Sequence, residues 1–155
     1  MKKLIFKLVL PLTLISVGLF TKWWYVSPDN APDIILWGFP LPFAGDGFQT
    51  SMSLQIFVME LIIDLLVFFC FWFLVVFSIN RFIIKIRVKK IITILVLSLA
   101  GFFLTNAIFD AWWPDNMIKI KRDWNMETME TGYKFIWQKQ PRPDYTLNPP
   151  RIRKE

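Results

Sequence analysis

Histidine is absent from this 155-residue chain and cysteine occurs once. Without histidine, the commonest metal ligand and the commonest general base are both missing, so most hydrolase and metalloenzyme chemistries lose their usual residues. A lone Cys70, set inside an apolar run, allows neither an intramolecular disulfide nor a thiolate metal cluster. Between Phe69 and Phe71 its thiol is expected to be inert packing. Internal repeats and low-complexity tracts are also lacking. No cofactor and no metal is expected, and nothing amounts to a catalytic signature.

What is abundant is apolar surface: 55% of the residues are hydrophobic and 17% aromatic. A soluble fold of this length could not hide long unbroken Phe, Leu and Ile runs without exposing aggregation-prone surface, whereas lipid can. The net charge of +6 invites a nucleic-acid reading. However, the basic residues form blocks beside apolar runs, at Lys2 to Lys7, Arg81 to Lys90 and Lys119 to Arg122, a placement that orients membrane segments. No nucleic-acid partner is expected.

The spacing predicts an all-α membrane protein with three transmembrane helices, over about 4–25, 54–79 and 91–113, followed by an extracytoplasmic tail over 114–155. The first run begins after Met1-Lys2-Lys3 and resembles a signal peptide, but no small-residue cleavage site follows it. Thr21, Lys22, Trp23, Trp24 and Tyr25 come instead, and bulky aromatics read as interfacial anchors of an uncleaved signal-anchor helix. Pro11 is expected to kink it. The second run reaches roughly 39 Å as a helix, enough to span with tilt. Its acids, Glu60 and Asp64, cost about 3 kcal/mol each on the insertion scale, against roughly −6 to −12 kcal/mol for its apolar residues. The third run carries no charge before Asp110.

Arg81, Lys85, Arg87, Lys89 and Lys90 crowd the second loop and Lys2, Lys3 and Lys7 the N-terminus, while Lys22 stands alone in the first loop. The positive-inside rule therefore predicts a cytoplasmic N-terminus and second loop, with the first loop and the tail outside. Lys119, Lys121 and Arg122 oppose the tail's placement. Trp23, Trp24, Trp37, Trp112 and Trp113 would all mark the outer interface. Rich Lys, Ile and Phe usage points to a bacterium with an AT-rich genome, hence a multi-pass inner-membrane protein.

Between the first two runs, the apolar stretch Ile34 to Phe48 holds Gly38, Pro40, Pro42, Gly45 and Gly47, so it is expected as an interfacial loop lying along the outer surface or over the helix ends. In the tail, Ile118, Ile120, Trp124 and Met126 alternate with polar residues. With a second candidate strand at Tyr133 to Gln138 they are expected to form a hairpin, marginal without support. Beyond Gln140 the prolines dictate an extended end.

Four polar residues are the candidate site. Glu60 and Asp64 share one face of the second helix, and ionisable groups at membrane depth usually face a protein interior or a wet cavity. Asn106 and Asp110, again four apart, sit near the outer end of the third helix, so all four groups are expected to converge. Below Asp64 that face offers Phe71 before Ser78, which leaves no continuous polar path. An aspartyl hydrolase would need Asp64 with Asp110, but no Gly-Asp motif frames either. Ser98, Gly101 and Thr105 form a small-residue face that would admit another helix; Thr13 and Ser16 are a similar pair. The expected function is a non-enzymatic accessory or structural subunit of a membrane complex, in contact with lipid and either other subunits or its own copies. The alternative is an ion- or proton-coupled transport component using Glu60 and Asp64.

Overall fold

The structure, a computed structural model, describes residues 2–29, 32–47 and 53–138; the proline-rich end beyond Gln140 lies outside them. It corrects the all-α expectation. Helices account for only part of the chain, and a six-stranded mixed sheet is built from other parts, so the fold is α/β.

The first helical segment runs over 2–19, as a turn at Lys2–Leu4, a π-helical turn at Ile5–Val9 and an α-helix at Leu10–Leu19. The π turn immediately precedes Pro11, which has no N–H to give to the carbonyl four residues back. The helix ends at Phe20, where the backbone becomes extended. From there the aromatic and β-branched run that was expected to finish a spanning helix is strand β1, Phe20–Pro28, consistent with the strand preference of such residues. The second helix covers Val58–Ser78 and continues as a π-helical stretch at Ile79–Ile83; the third covers Lys90–Ala111. Among the described residues two helices, Val58–Ile83 and Lys90–Ala111, are long and apolar enough to cross a membrane. Three spans are thus corrected to two candidates, and Leu54–Phe57, expected as the start of the second helix, is strand β4.

The other strands are β2 (Ile34–Trp37), β3 (Ala44–Asp46), β5 (Met117–Lys119) and β6 (Met126–Phe135). Their order across the sheet is β5-β4-β3-β2-β1-β6, antiparallel except for the β4–β5 pair. The expected hairpin between the two tail strands does not form. β5 and β6 occupy opposite edges of the sheet, and β6 pairs with β1 from Phe20↔Phe135 to Pro28↔Met126.

Residues 120–125 therefore cross the sheet's full width. Five strand gaps total about 24 Å, close to the roughly 25 Å that this connection reaches fully extended. Spanning that width leaves the connection almost no slack. On the inner face Val26, Ile34, Leu36 and Phe57 form the core, and Trp24, Trp124 and Met126 pack against it. Trp124 sits edge-on to Phe57, so the crossing chain is itself the lid of the core. Its ends are tied: Met59 N–H donates to the Ile120 carbonyl and Asp29 N–H to that of Asn125.

The second and third helices each pack on the first segment rather than on each other. The Trp72 indole N–H donates to Ser16 Oγ at 2.8 Å, and Phe103 lies over Gly18, where a Cβ would collide with its ring. Asn116 joins the third helix to the sheet. Its Nδ2 donates to the Asp110 carbonyl, one of the orphaned acceptors of that helix end, and its Oδ1 accepts the Leu54 N–H.

Candidate functional site

The buried stripe of the second helix follows i, i+4 spacing. Glu60 and Asp64 are both buried, at 8% and 0% exposure, and Val76 is buried further along. The sequence reading placed Phe71 below Asp64. Phe71 is instead exposed, and the residues in line are Phe68, which packs against Phe39, and Trp72 with its bond to Ser16.

What faces Asp64 is the connection between β2 and β3, residues 38–43. Gly38 has φ +149°, a conformation that side chains rarely adopt, and a Cβ there would strike the Leu41 carbonyl. The Gly38 carbonyl accepts the Trp24 indole N–H at 3.1 Å and its N–H donates to the Lys22 carbonyl. Phe43 N–H donates to the Trp37 carbonyl, and the Phe43 carbonyl accepts from Phe57 N–H. At the tip, Leu41 N–H donates to Asp64 Oδ1 at 3.0 Å, and the Phe39 backbone also engages that carboxylate. The expected interfacial loop is corrected: two of its parts, Ile34–Trp37 and Ala44–Asp46, are strands, and the turn between them meets the second helix at Asp64 and Phe68.

Such bonds to a charged acceptor are worth about 1.5–3 kcal/mol each. An aromatic group closes the arrangement: Phe20 contacts Phe39, Tyr133 and Phe135. Lys22 Nζ stands 3.5 Å over the Trp24 ring, a cation–π contact. Asp64 Oδ2 and Glu60 Oε2 are buried with no partner among the described residues.

Asn106 and Asp110 do not join this pair. Asn106 is exposed and bonds to its own helix at the Phe102 carbonyl, and Asp110 is exposed at the C-terminal end of the third helix. The tryptophans separate as well. Trp23 is buried on β1 with its indole over Gly132, where no Cβ would fit. Trp24 and Trp37 are partly buried in the sheet, while Trp112, 84% exposed, and Trp113 remain on the surface. Cys70 is exposed as a free thiol.

A second charged pair escaped the sequence reading because its members are 88 residues apart. Burial raises the Asp46 pKa above its usual value, with Lys134 pulling it back down. Burial also lowers the Lys134 pKa, opposed by Asp46. Only the sheet brings β3 and β6 near enough for that coupling.

No protein-family model, curated protein or solved structure matches the chain. The arrangement itself is that of an anchored loop with a buried carboxylate at its root; it assembles no nucleophile and base, and no metal-binding group of three or more ligands occurs among the described residues.

Asp64→Leu is expected to leave the Leu41 amide unsatisfied, costing about 1–3 kcal/mol, with faster amide exchange at Leu41. Asp64→Asn keeps an acceptor and should retain most of that protection; equal loss in both variants would mean that charge, not bonding, matters. For Asp46, the folded-state pKa is raised, so the folded state binds the proton more tightly and this group's ionisation subtracts stability as pH rises through the folded pKa. Lys134→Met removes the opposing charge, so a carboxyl titration followed by NMR should show the Asp46 midpoint move higher still.

Proposed function

We propose that the chain is a membrane-embedded, non-enzymatic accessory subunit, with Val58–Ile83 and Lys90–Ala111 crossing the bilayer and its sheet on the extracytoplasmic side. The observation that carries this reading is the third helix. It buries Thr93 and Ala100 against the rest of the fold, yet on another side Ser98, Gly101 and Thr105 are exposed, and a Cβ on Gly101 would meet nothing within 4 Å. Small residues at such a face let a second helix approach closely. Only 11% of each candidate span is buried within the chain, so lipid and partner helices supply what the fold leaves uncovered.

Orientation follows from the two ends of the bundle. The first segment enters the sheet at Phe20, the second helix leaves it at Phe57 and the third returns toward it at Ala111, whereas Lys2, Lys3 and the Arg81–Lys90 block lie at the opposite ends of these helices. Basic residues favour the cytoplasmic side, which puts the sheet outside. The transport reading has less support. Asp64 is committed to the loop, and the stripe beyond it is Phe68, Trp72 and Val76, with no further ionisable group.

Purified in mild detergent from membranes of its native host, the protein should migrate as an assembly heavier than one chain, and Gly101→Leu should shift most of it to a single chain. A monomer in both cases would remove the subunit reading. Orientation is checked by impermeant thiol labelling of intact cells in a Cys70→Ser background: Thr131→Cys should label and Lys85→Cys should not, and the reverse pattern would invert the topology.

A further inference from the structure

Because the second and third helices pack on the first segment and not on each other, a cleft opens between them. Its floor is Leu14, Val17 and Gly18, its walls include Leu65 and Phe103, and Ala44, Leu54 and Ile56 of the sheet form its roof. The cavity measures about 360 Å³, within the roughly 300–1,000 Å³ of small-ligand pockets. Protein interiors are otherwise packed with few voids larger than a water molecule, and an apolar cavity gives water no partners. A second apolar recess of about 390 Å³, between the first segment and the second helix, shares Leu14 and Leu65 with it.

Among the described residues, the only ionisable group on the lining is Asp110, at the roofed end. It also lines a smaller adjoining recess with Leu54, Phe109 and Trp113. Among the described residues no cation pairs with it; the one ion pair found is Lys119 with Asp123, 2.7 Å apart. Tryptophan belongs at headgroup level in a bilayer, and Trp113 stands beside that carboxylate.

We propose that the cleft is a lipid site: one acyl chain of an aminophospholipid enters sideways between the two helices and its ammonium headgroup sits against Asp110 beside Trp113. This rests on the membrane reading above. The sheet roofs the chain, the helices wall it, and the carboxylate selects a cationic headgroup group over a polyol one.

The protein is reconstituted into nanodiscs of phosphatidylethanolamine and phosphatidylglycerol, released into mild detergent and weighed by native mass spectrometry. Wild type is expected to retain one phosphatidylethanolamine per chain. Ala107→Phe, whose ring fills the cavity, should lower retention at least five-fold, and so should Leu61→Trp from the opposite wall. Leu95→Phe, placing the same ring at an exposed position of the same helix that does not line the cavity, should retain lipid like wild type. Asp110→Asn should keep a lipid but lose the preference for phosphatidylethanolamine. Wild-type retention in both filled variants, or no lipid on the wild type, overturns the site; an unchanged preference in Asp110→Asn overturns the headgroup assignment. Release of the wild type from native membranes by alkaline carbonate would instead overturn the membrane reading on which the site depends.

Discussion

The fold depends on a hydrogen-bonding requirement met at one carboxylate. The chain between β2 and β3 turns through Gly38, Phe39, Pro40, Leu41 and Pro42, with Gly38 and Pro42 buried and the other three half-buried. Buried backbone N–H groups must find acceptors, and two prolines in this turn already contribute none to pair. Asp64 takes the Leu41 N–H, and with it the loop is held against the second helix. Because the same loop also bonds to Lys22, Trp24, Trp37 and Phe57, fixing its tip fixes how β1, β2 and β4 meet the helix ends. Asp64, one of two acids in this apolar helix, is thereby explained by what it holds, with no catalytic or transport role required of it.

The sheet and the helices constrain each other through direct continuity. β1 begins at the residue where the first helix stops and the second helix begins at the residue after β4, so neither layer can rotate freely against the other. The third helix has no such covalent junction, since residues 112–116 separate it from β5. Asn116 supplies the tie instead, by bonding one helix carbonyl and one strand amide. With both outer helices anchored to the sheet and to the first segment, a gap between them is the geometric consequence, and it is roofed by the outer face of β3 and β4.

Much of this was out of reach of a reading by run length and periodicity. Trp23 to Val26 directly follow an apolar helix and satisfy the rule for interfacial anchors as well as that for a strand. Leu54–Phe57 is apolar enough to be absorbed into the helix it precedes. β2, β3 and β5 are too short to show a period of two, and β3 contains a glycine that sits against Leu36 where a Cβ would collide. The tail alternation was visible, but local alternation says nothing about which strand pairs with which. β6 bonds to β1 across about a hundred residues of chain, and β5 to β4 across about sixty.

By itself the sequence determined the apolar character of Val58–Ile83 and Lys90–Ala111, the basic block between them, and the placing of Glu60 and Asp64 on one helical face, because each depends only on composition and on the 3.6-residue period. Tertiary structure alone decided that Asp64 meets a loop amide, that Asn106 and Asp110 stay apart from it, and that Asp46 and Lys134 feel each other's charge. Each of these is a contact between segments distant in the chain, set by hydrogen-bond satisfaction and strand pairing that no local pattern encodes.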